Sequence, residues 1–124
     1  MSKQTLLMCP GTLKYQIGYG KINEWMGERY SIDEFEVELA WKHVYKYVLF
    51  CGADVKLILP QDNFPDMFFT RNAGLIFPGD KPRVILSSFK HKERQGERAF
   101  YRQWFEKNGF EVIVLPIGAT FEGG

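Results

Sequence analysis

An acid and an amide interrupt an aromatic stretch near the middle of the chain. Asp66 stands before the aromatic pair Phe68 and Phe69, and Asn72 follows shortly afterwards. Carboxylates pair with the N–H fork of a guanidinium group, and aromatic rings stack on its flat face. The pattern therefore indicates a cradle for a flat cation. The alternative from the same residues is local structure: an Asx-turn at Asp66 and a left-handed turn at Asn72 before Gly74.

A second carboxylate occupies a place that corresponds to that of Asp66. Pro60 and Pro116 each end a predicted strand that follows a helix, and they lie 56 residues apart. Asp66 and Glu122 each stand six residues beyond their proline. Because equivalent strand ends in a helix-covered sheet converge on one crevice, the spacing predicts that both carboxylates line a shared site. Repetition at this scale is typical of similar strand-and-helix units packed side by side.

The elements that must position these residues alternate between strands and helices, which predicts an α/β fold. A capping box that begins at Ser31 starts a first helix, which ends at Gly52. Helical spacing from Phe100 to Phe105 predicts a second helix that stops at Asn108. The apolar face predicted for the first helix comprises Val37, Ala40, Trp41, Val44, Tyr47, Val48 and Cys51. Short apolar runs predict strands at 5–9, 54–59, 67–70, 73–77, 83–88 and 110–115.

Composition narrows the function classes. The 124 residues, 45% apolar and 25% charged, are those of one globular domain, and a net charge of +1 disfavours nucleic acid as a partner. No apolar run approaches the roughly 20 residues that span a bilayer, and no signal peptide is apparent, so we expect a cytoplasmic protein without a membrane partner. Cys9 and Cys51 have neither disulfide-framework nor zinc-site spacing, so we expect no metal and no cofactor.

Four motifs in order along the chain resemble those of the guanidino-group-modifying enzyme superfamily. It includes arginine deiminases, dimethylarginine dimethylaminohydrolases, amidinotransferases and arginine dihydrolases. The most specific motif is Pro65 to Leu75 (PDMFFTRNAGL), which resembles Pro-Asp-x-x-Phe-Thr-x-Asn-Ala-Gly. The others are Met8-Cys9-Pro10 followed by Ile22-Asn23-Glu24-Trp25-Met26, the helix start His91 to Glu97, and Phe121-Glu122-Gly123-Gly124. Glu24 departs from the proline usual in bacterial members.

The resemblance implies a five-bladed α/β propeller. On that basis residues 1–124 form a single partial domain of about two blades, with the internal repeat at about 33–66 and 92–122. The chain stops inside a motif that usually continues to an Asp, so we expect a C-terminally truncated, N-terminal part of the propeller.

The resemblance also assigns roles to matching residues. Asp66 and Glu122 are implied to be catalytic acids, Asp66 toward the substrate and Glu122 toward the catalytic histidine and the guanidinium. The residues implied to bind substrate are Asn23, Phe69, Asn72 and Arg94, with Phe69 as a wall of the pocket.

Asn72 is the informative departure. Deiminases and dimethylarginine hydrolases usually have a guanidinium-binding Asp there, and an amide cannot make a charge-assisted pair. Together with Asn23, it resembles the arginine dihydrolase branch, which hydrolyses arginine to ornithine with release of ammonia and carbon dioxide. Arg94 is implied to hold the substrate's α-carboxylate, and the alternative is a helical pair with Glu97 or Glu93.

The family's nucleophile is a late cysteine that works with a histidine from a later blade. It attacks the guanidinium carbon, and the thiol-bound adduct is hydrolysed or passed to an amine. Cys9, Cys51, His43 and His91 do not match these positions, so we expect the chain alone to be inactive.

The sequence thus predicts part of a cysteine-dependent hydrolase whose small-molecule substrate is arginine or a methylated arginine. One alternative is an amidinotransferase that moves the amidino group to an acceptor amine. A second is a non-catalytic propeller module that binds a cationic ligand, and a third is a small α/β domain with four accidental motif matches. A homo-oligomer is one expectation for the full-length form.

Overall fold

The computed structural model describes residues 3–11 and 34–124. Backbone contacts divide the chain into two compact units, Met1–Phe68 and Phe69–Gly124. None of the helices within the described ranges is long and apolar enough to cross a membrane.

The first unit is built on two parallel strands joined through a helix. Strand β1 (Thr5–Met8) pairs with β2 (Asp54–Leu57), and α1 (Glu34–Phe50) lies between them in sequence. Gly52 follows the end of this helix; its φ of +88° suits glycine, and its amide donates to the Leu49 carbonyl oxygen. Among the described residues of this unit, Cys9, Ile58 and Met67 are the buried apolar side chains.

The buried face of α1 is narrower than predicted. Half-buried residues recur mainly every fourth position, and Trp41 and Tyr45 stack with ring centroids 5.4 Å apart. The half-buried residues are Val37, Trp41, Tyr45 and Val48, whereas Ala40, Val44, Tyr47 and Cys51 of the predicted face are exposed. A two-stranded sheet offers little width, so a single ridge of the helix covers it.

The second unit contains a three-stranded sheet in the order β3-β4-β5. Strands β3 (Gly74–Phe77) and β4 (Arg83–Leu86) form an antiparallel hairpin, and β5 (Glu111–Ile113) lies parallel to β4. Two helices connect β4 to β5: the single turn α2 (Lys92–Gln95) and the longer α3 (Glu97–Lys107).

Helix α3 buries one side chain per turn. Glu97, Tyr101 and Phe105 are buried at four-residue spacing, and Val84 and Leu86 of β4 are fully buried in the same unit. Asn108 ends the helix as predicted, since its side-chain amide donates to the Trp104 carbonyl oxygen at 2.8 Å.

The strand predicted at 67–70 is wrong. Two 3₁₀ helices, Pro65–Phe68 and Thr70–Ala73, occupy this segment. The amide of Met67 donates to the Phe64 carbonyl oxygen at 3.2 Å, and the amide of Asn72 donates to that of Phe69 at 3.1 Å. Each bond spans three residues, as 3₁₀ geometry requires, so the segment turns where an aromatic run suggested extension.

Candidate functional site

The structure places the predicted site residues in different parts of the fold. Asp66 is buried in the first unit, on the 3₁₀ helix Pro65–Phe68. Asn72, Arg94 and Glu122 belong to the second unit. Asn23 lies outside the described residues. The crevice predicted to hold Asp66 and Glu122 joins groups from separate units and stays a prediction.

Asn72 is held by a hydrogen bond on each side of its amide group. Its Oδ1 accepts from Arg94 Nη1 at 3.0 Å, and its Nδ2 donates to the Gly123 carbonyl oxygen at 2.9 Å. The two bonds use the amide in opposite senses, because a guanidinium can only donate and a carbonyl can only accept. The orientation of the amide is therefore fixed, and a carboxylate could not make both contacts.

Arg94 is buried and bound mainly to a neighbouring acid. Its Nε and Nη2 donate to the two carboxylate oxygens of Glu97 at 2.9 and 3.0 Å, a bidentate pair whose side chains are 7% and 0% exposed. The guanidinium also lies over the Phe89 ring, 4.4 Å from its centroid. The alternative that the sequence left open for Arg94, pairing with Glu97, is present in the structure. In this geometry the Nη1 side of the guanidinium faces Asn72.

The backbone on both sides of Glu122 is tied to the end of strand β4. The amide of Ser88 donates to the Phe121 carbonyl oxygen at 2.7 Å, and the amide of Phe121 donates back at 3.0 Å. Beyond Glu122, the Gly123 amide donates to Ser87 Oγ at 2.9 Å. The Glu122 side chain is exposed, and its Oε1 accepts from the Lys90 amide at 3.4 Å. An exposed carboxylate is thus presented from a firmly held main chain.

Gly123 lies directly against the backbone of Gly74. A Cβ built on Gly123 would overlap the Gly74 carbonyl oxygen and lie 2.8 Å from its carbon. A Cβ on Gly74 would in turn meet the Ile85 carbonyl oxygen at 2.6 Å. Only glycine permits these approaches, so the two glycines allow the Phe121–Gly124 segment to pack on β3.

Phe69 lies at the start of the 3₁₀ helix that carries Asn72. Its side chain is 47% exposed, a suitable condition for a ring that contacts a ligand. Its carbonyl oxygen accepts from the Asn72 amide, so the two residues share one turn of backbone. This position is compatible with the role of pocket wall that the resemblance implies.

Sequence reasoning missed Ser87 and the packing role of Gly74. Ser87 is completely buried at the end of β4. A hydroxyl at the end of an apolar strand was the available signal, but serine is so common at strand ends that it does not stand out. The spacing of Arg94 and Glu97 did indicate their pairing, although it gave no sign of their burial.

Metal ligation finds no support in residues 3–11 and 34–124. Within these ranges, no group of three or more His, Cys, Asp or Glu side chains could hold an ion. Cys9 is buried, and Cys51 is exposed just beyond the end of α1.

No protein-family model matches the chain, but its sequence is similar to those of two curated enzymes. It is 43% identical over 119 residues to the bifunctional arginine dihydrolase/ornithine cyclodeaminase ArgZ of Synechocystis sp. (95% of this chain, 16% of ArgZ). It is 42% identical over 123 residues to the bifunctional arginine dihydrolase/ornithine cyclodeaminase AgrE of Nostoc sp. (98% of this chain, 17% of AgrE).

The fold of the chain is also similar to solved structures of the ArgZ N-terminal domain. The product-bound N-terminal domain of ArgZ, an arginine dihydrolase, matches with a TM-score of 0.84 at 40% identity (98% of this chain, 43% of that one). An ArgZ N-terminal domain variant covalently bound to a reaction intermediate matches with a TM-score of 0.82 at 40% identity (96% of this chain, 42% of that one). A dimethylarginine dimethylaminohydrolase matches at 15% identity with a TM-score of 0.73 (99% of this chain, 46% of that one), which shows a shared fold.

These matches confirm the α/β fold class and the predicted resemblance to the guanidino-group-modifying superfamily. The chain's homologues include the arginine dihydrolase/ornithine cyclodeaminases ArgZ and AgrE, the branch that Asn72 together with Asn23 indicated. The chain spans about a sixth of the length of these two curated relatives.

Proposed function

We propose that this chain supplies the amide and acidic groups that bind the guanidinium of arginine in an arginine dihydrolase. The observation that carries the proposal is the amide of Asn72, held between Arg94 and Gly123 beside the Glu122 segment. The similarity to arginine-processing relatives over nearly the whole chain supports the same conclusion.

In this proposal Asn72 and Glu122 have complementary tasks. The Asn72 amide is neutral, so the guanidinium is not locked into a strong ion pair on that side. Glu122 supplies the negative charge, because its exposed carboxylate is free of a salt bridge shorter than 4.0 Å among the described residues. Asp66 and Asn23 bind the rest of the substrate, and the Phe69 ring stacks against it.

Arg94 takes a different task from the one that the resemblance implied. Since three of its nitrogens donate to Glu97 and Asn72, we assign it to orienting the Asn72 amide.

The hydrolysis itself needs a thiol nucleophile and a histidine, which we assign to a part of the natural protein outside these 124 residues. The thiolate attacks the guanidinium carbon and a first ammonia leaves; one water then adds to the thiol-bound carbon and a second ammonia leaves. A second water displaces the thiolate, and the released N-carboxylated ornithine breaks down to ornithine and carbon dioxide. Complete hydrolysis of one arginine with two waters gives ornithine, two ammonia and carbon dioxide.

The experiment is product analysis on the natural-length protein with L-arginine. We expect ornithine and ammonia in a ratio of one to two, without citrulline. Citrulline with one ammonia would identify a deiminase instead. Ornithine that appears only with an acceptor amine would identify a transferase, and binding without turnover would favour the non-catalytic module.

We also propose that the chain forms about two blades of a five-bladed α/β propeller, as the internal repeat at about 33–66 and 92–122 suggests. In support, β1-α1-β2 and β4-α3-β5 each join two parallel strands through a helix. A cytoplasmic location and a homo-oligomer remain predictions of the same proposal.

A further inference from the structure

The hydroxyl of Ser87 joins two segments that carry proposed site residues. Ser87 is completely buried, and its Oγ donates to the Asn72 carbonyl oxygen while it accepts from the Gly123 amide at 2.9 Å. The Ser87 amide also donates to the Ala73 carbonyl oxygen at 3.0 Å. The residue that directly follows β4 therefore holds both the end of a 3₁₀ helix and the chain that follows Glu122.

Only a group with both donor and acceptor capacity can make this bridge. The Asn72 carbonyl can only accept and the Gly123 amide can only donate, whereas a hydroxyl has one proton and two lone pairs. The bridge is closed on its other side by the Asn72 side chain, whose Nδ2 donates to the Gly123 carbonyl oxygen. Asn72 and Gly123 are thus connected twice, once through Ser87 and once directly.

This closed arrangement determines where Glu122 can be. Phe121, before it, is paired with Ser88, and Gly123, after it, is bound to Ser87 and Asn72. The main chain at Glu122 is consequently fixed relative to Asn72, although its side chain is exposed. A small displacement of Glu122 would slow the reaction strongly, because a shift of about 1 Å in a reacting group can lower the rate roughly a hundredfold.

We propose that Ser87 is a positioning residue of the guanidinium site, which sets the separation between the Asn72 amide and the Glu122 carboxylate. The inference rests on the proposed function for its effect on turnover. Its structural part, the bridge between the two segments, is independent of the substrate.

The test compares Ser87→Ala, Ser87→Cys and Thr120→Ala in the natural-length protein. Alanine removes the bridge, and cysteine fills the space with a weak donor and acceptor. Thr120→Ala is the control, because it removes an exposed hydroxyl two residues before Glu122. Hydrogen–deuterium exchange of the peptide that contains Gly123 is measured with kcat and KM for L-arginine.

We expect exchange at the Gly123 peptide to rise about tenfold or more in Ser87→Ala, the equivalent of one lost hydrogen bond. Its kcat/KM falls by about ten- to a hundredfold, mainly through kcat. Ser87→Cys gives an intermediate result, and Thr120→Ala matches the unmodified protein in both measurements. If Ser87→Ala does not fold, the test depends on Ser87→Cys. We then expect this variant to show faster exchange at the Gly123 peptide and a lower kcat/KM than the unmodified protein.

Unchanged exchange in the Ser87 variants would overturn the bridge, and raised exchange with unchanged kcat/KM would overturn its role in positioning. If the unmodified protein does not turn over arginine, the proposed function fails. In that case the exchange measurement alone still decides whether Ser87 holds the two segments together.

Discussion

Removing the charge of Glu97 provides a sharp test of the buried network behind Asn72. Glu97→Gln keeps the size of the side chain but leaves the Arg94 guanidinium without its carboxylate, at sites only 7% and 0% exposed. Breaking a buried ion pair in this way costs about 3–5 kcal/mol, because an uncompensated charge remains inside. With a urea dependence of about 1–3 kcal/mol per molar, the unfolding midpoint should fall by roughly 1 M or more.

The chain contains a matched control in the next turns of the same helix. Arg102 and Glu106 also form an ion pair, at 3.0 Å, but their side chains are 55% and 52% exposed. Exposed pairs contribute about 0–1 kcal/mol, so Glu106→Gln should leave the midpoint nearly unchanged. Hydrogen exchange of the α2 and α3 peptides at increasing urea concentration, on the natural-length protein, gives the unfolding midpoint of this region for both variants.

A double variant separates stability from positioning. Arg94→Met with Glu97→Leu removes both buried charges and fills the volume, which is often neutral for stability. We expect the midpoint to recover relative to Glu97→Gln while arginine turnover stays low, because Asn72 Oδ1 has lost the donor at 3.0 Å. Equal midpoint losses in Glu97→Gln and Glu106→Gln would refute the reasoning, as would full activity in the double variant.

Two further substitutions test the site segment. Asn72→Asp replaces the donor to the Gly123 carbonyl oxygen with a second acceptor. We expect the free energy of unfolding, measured by urea titration, to fall by about 1–3 kcal/mol, and kcat for arginine to fall as well. A variant as stable as the unmodified protein would contradict the contacts assigned to the amide. Gly123→Ala forces a Cβ into the Gly74 backbone, so we expect arginine turnover to be lost and hydrogen exchange in the Phe121–Gly124 peptide to become faster. Gly109→Ala is the control: its Cβ would have no heavy atom within 4 Å, so it tests only the strain of a positive φ. Equal exchange of the Phe121–Gly124 peptide in the two variants would argue against the close approach.

Much of the architecture could be predicted because local signals agreed with it. The strand at 5–9, the hairpin strands at 73–77 and 83–88, and the helix ends near Gly52 and Asn108 are each observed within a few residues. In these segments apolar period, strand length and glycine position all indicated the same element.

The failures came where residue composition or apolar periodicity did not decide the local structure. The aromatic run at 67–70 has strand composition, yet it forms 3₁₀ turns because Phe64 and Phe69 carbonyl oxygens accept bonds three residues ahead. Part of the apolar face predicted for α1 is exposed. Apolar periodicity predicts which residues share a helix face, but it does not give the width of the sheet that the face covers.

The site was predicted from residue types, whereas its internal organisation was not. Asn72, Arg94 and Glu122 were identified from the family resemblance, but their connection through Ser87 and Gly123 depends on pairings across 15 to 51 residues. No local pattern encodes such pairings. Glu97 was recognised only as a helical neighbour of Arg94.

The central claim, that Asn72 and Glu122 hold a guanidinium, is tested most directly by a crystal structure of the natural-length protein with L-arginine bound and its nucleophile disabled. We predict guanidinium nitrogens within about 2.7–3.2 Å of the Glu122 carboxylate and adjacent to the Asn72 amide. Arginine bound elsewhere, or with its guanidinium remote from both residues, would contradict the account.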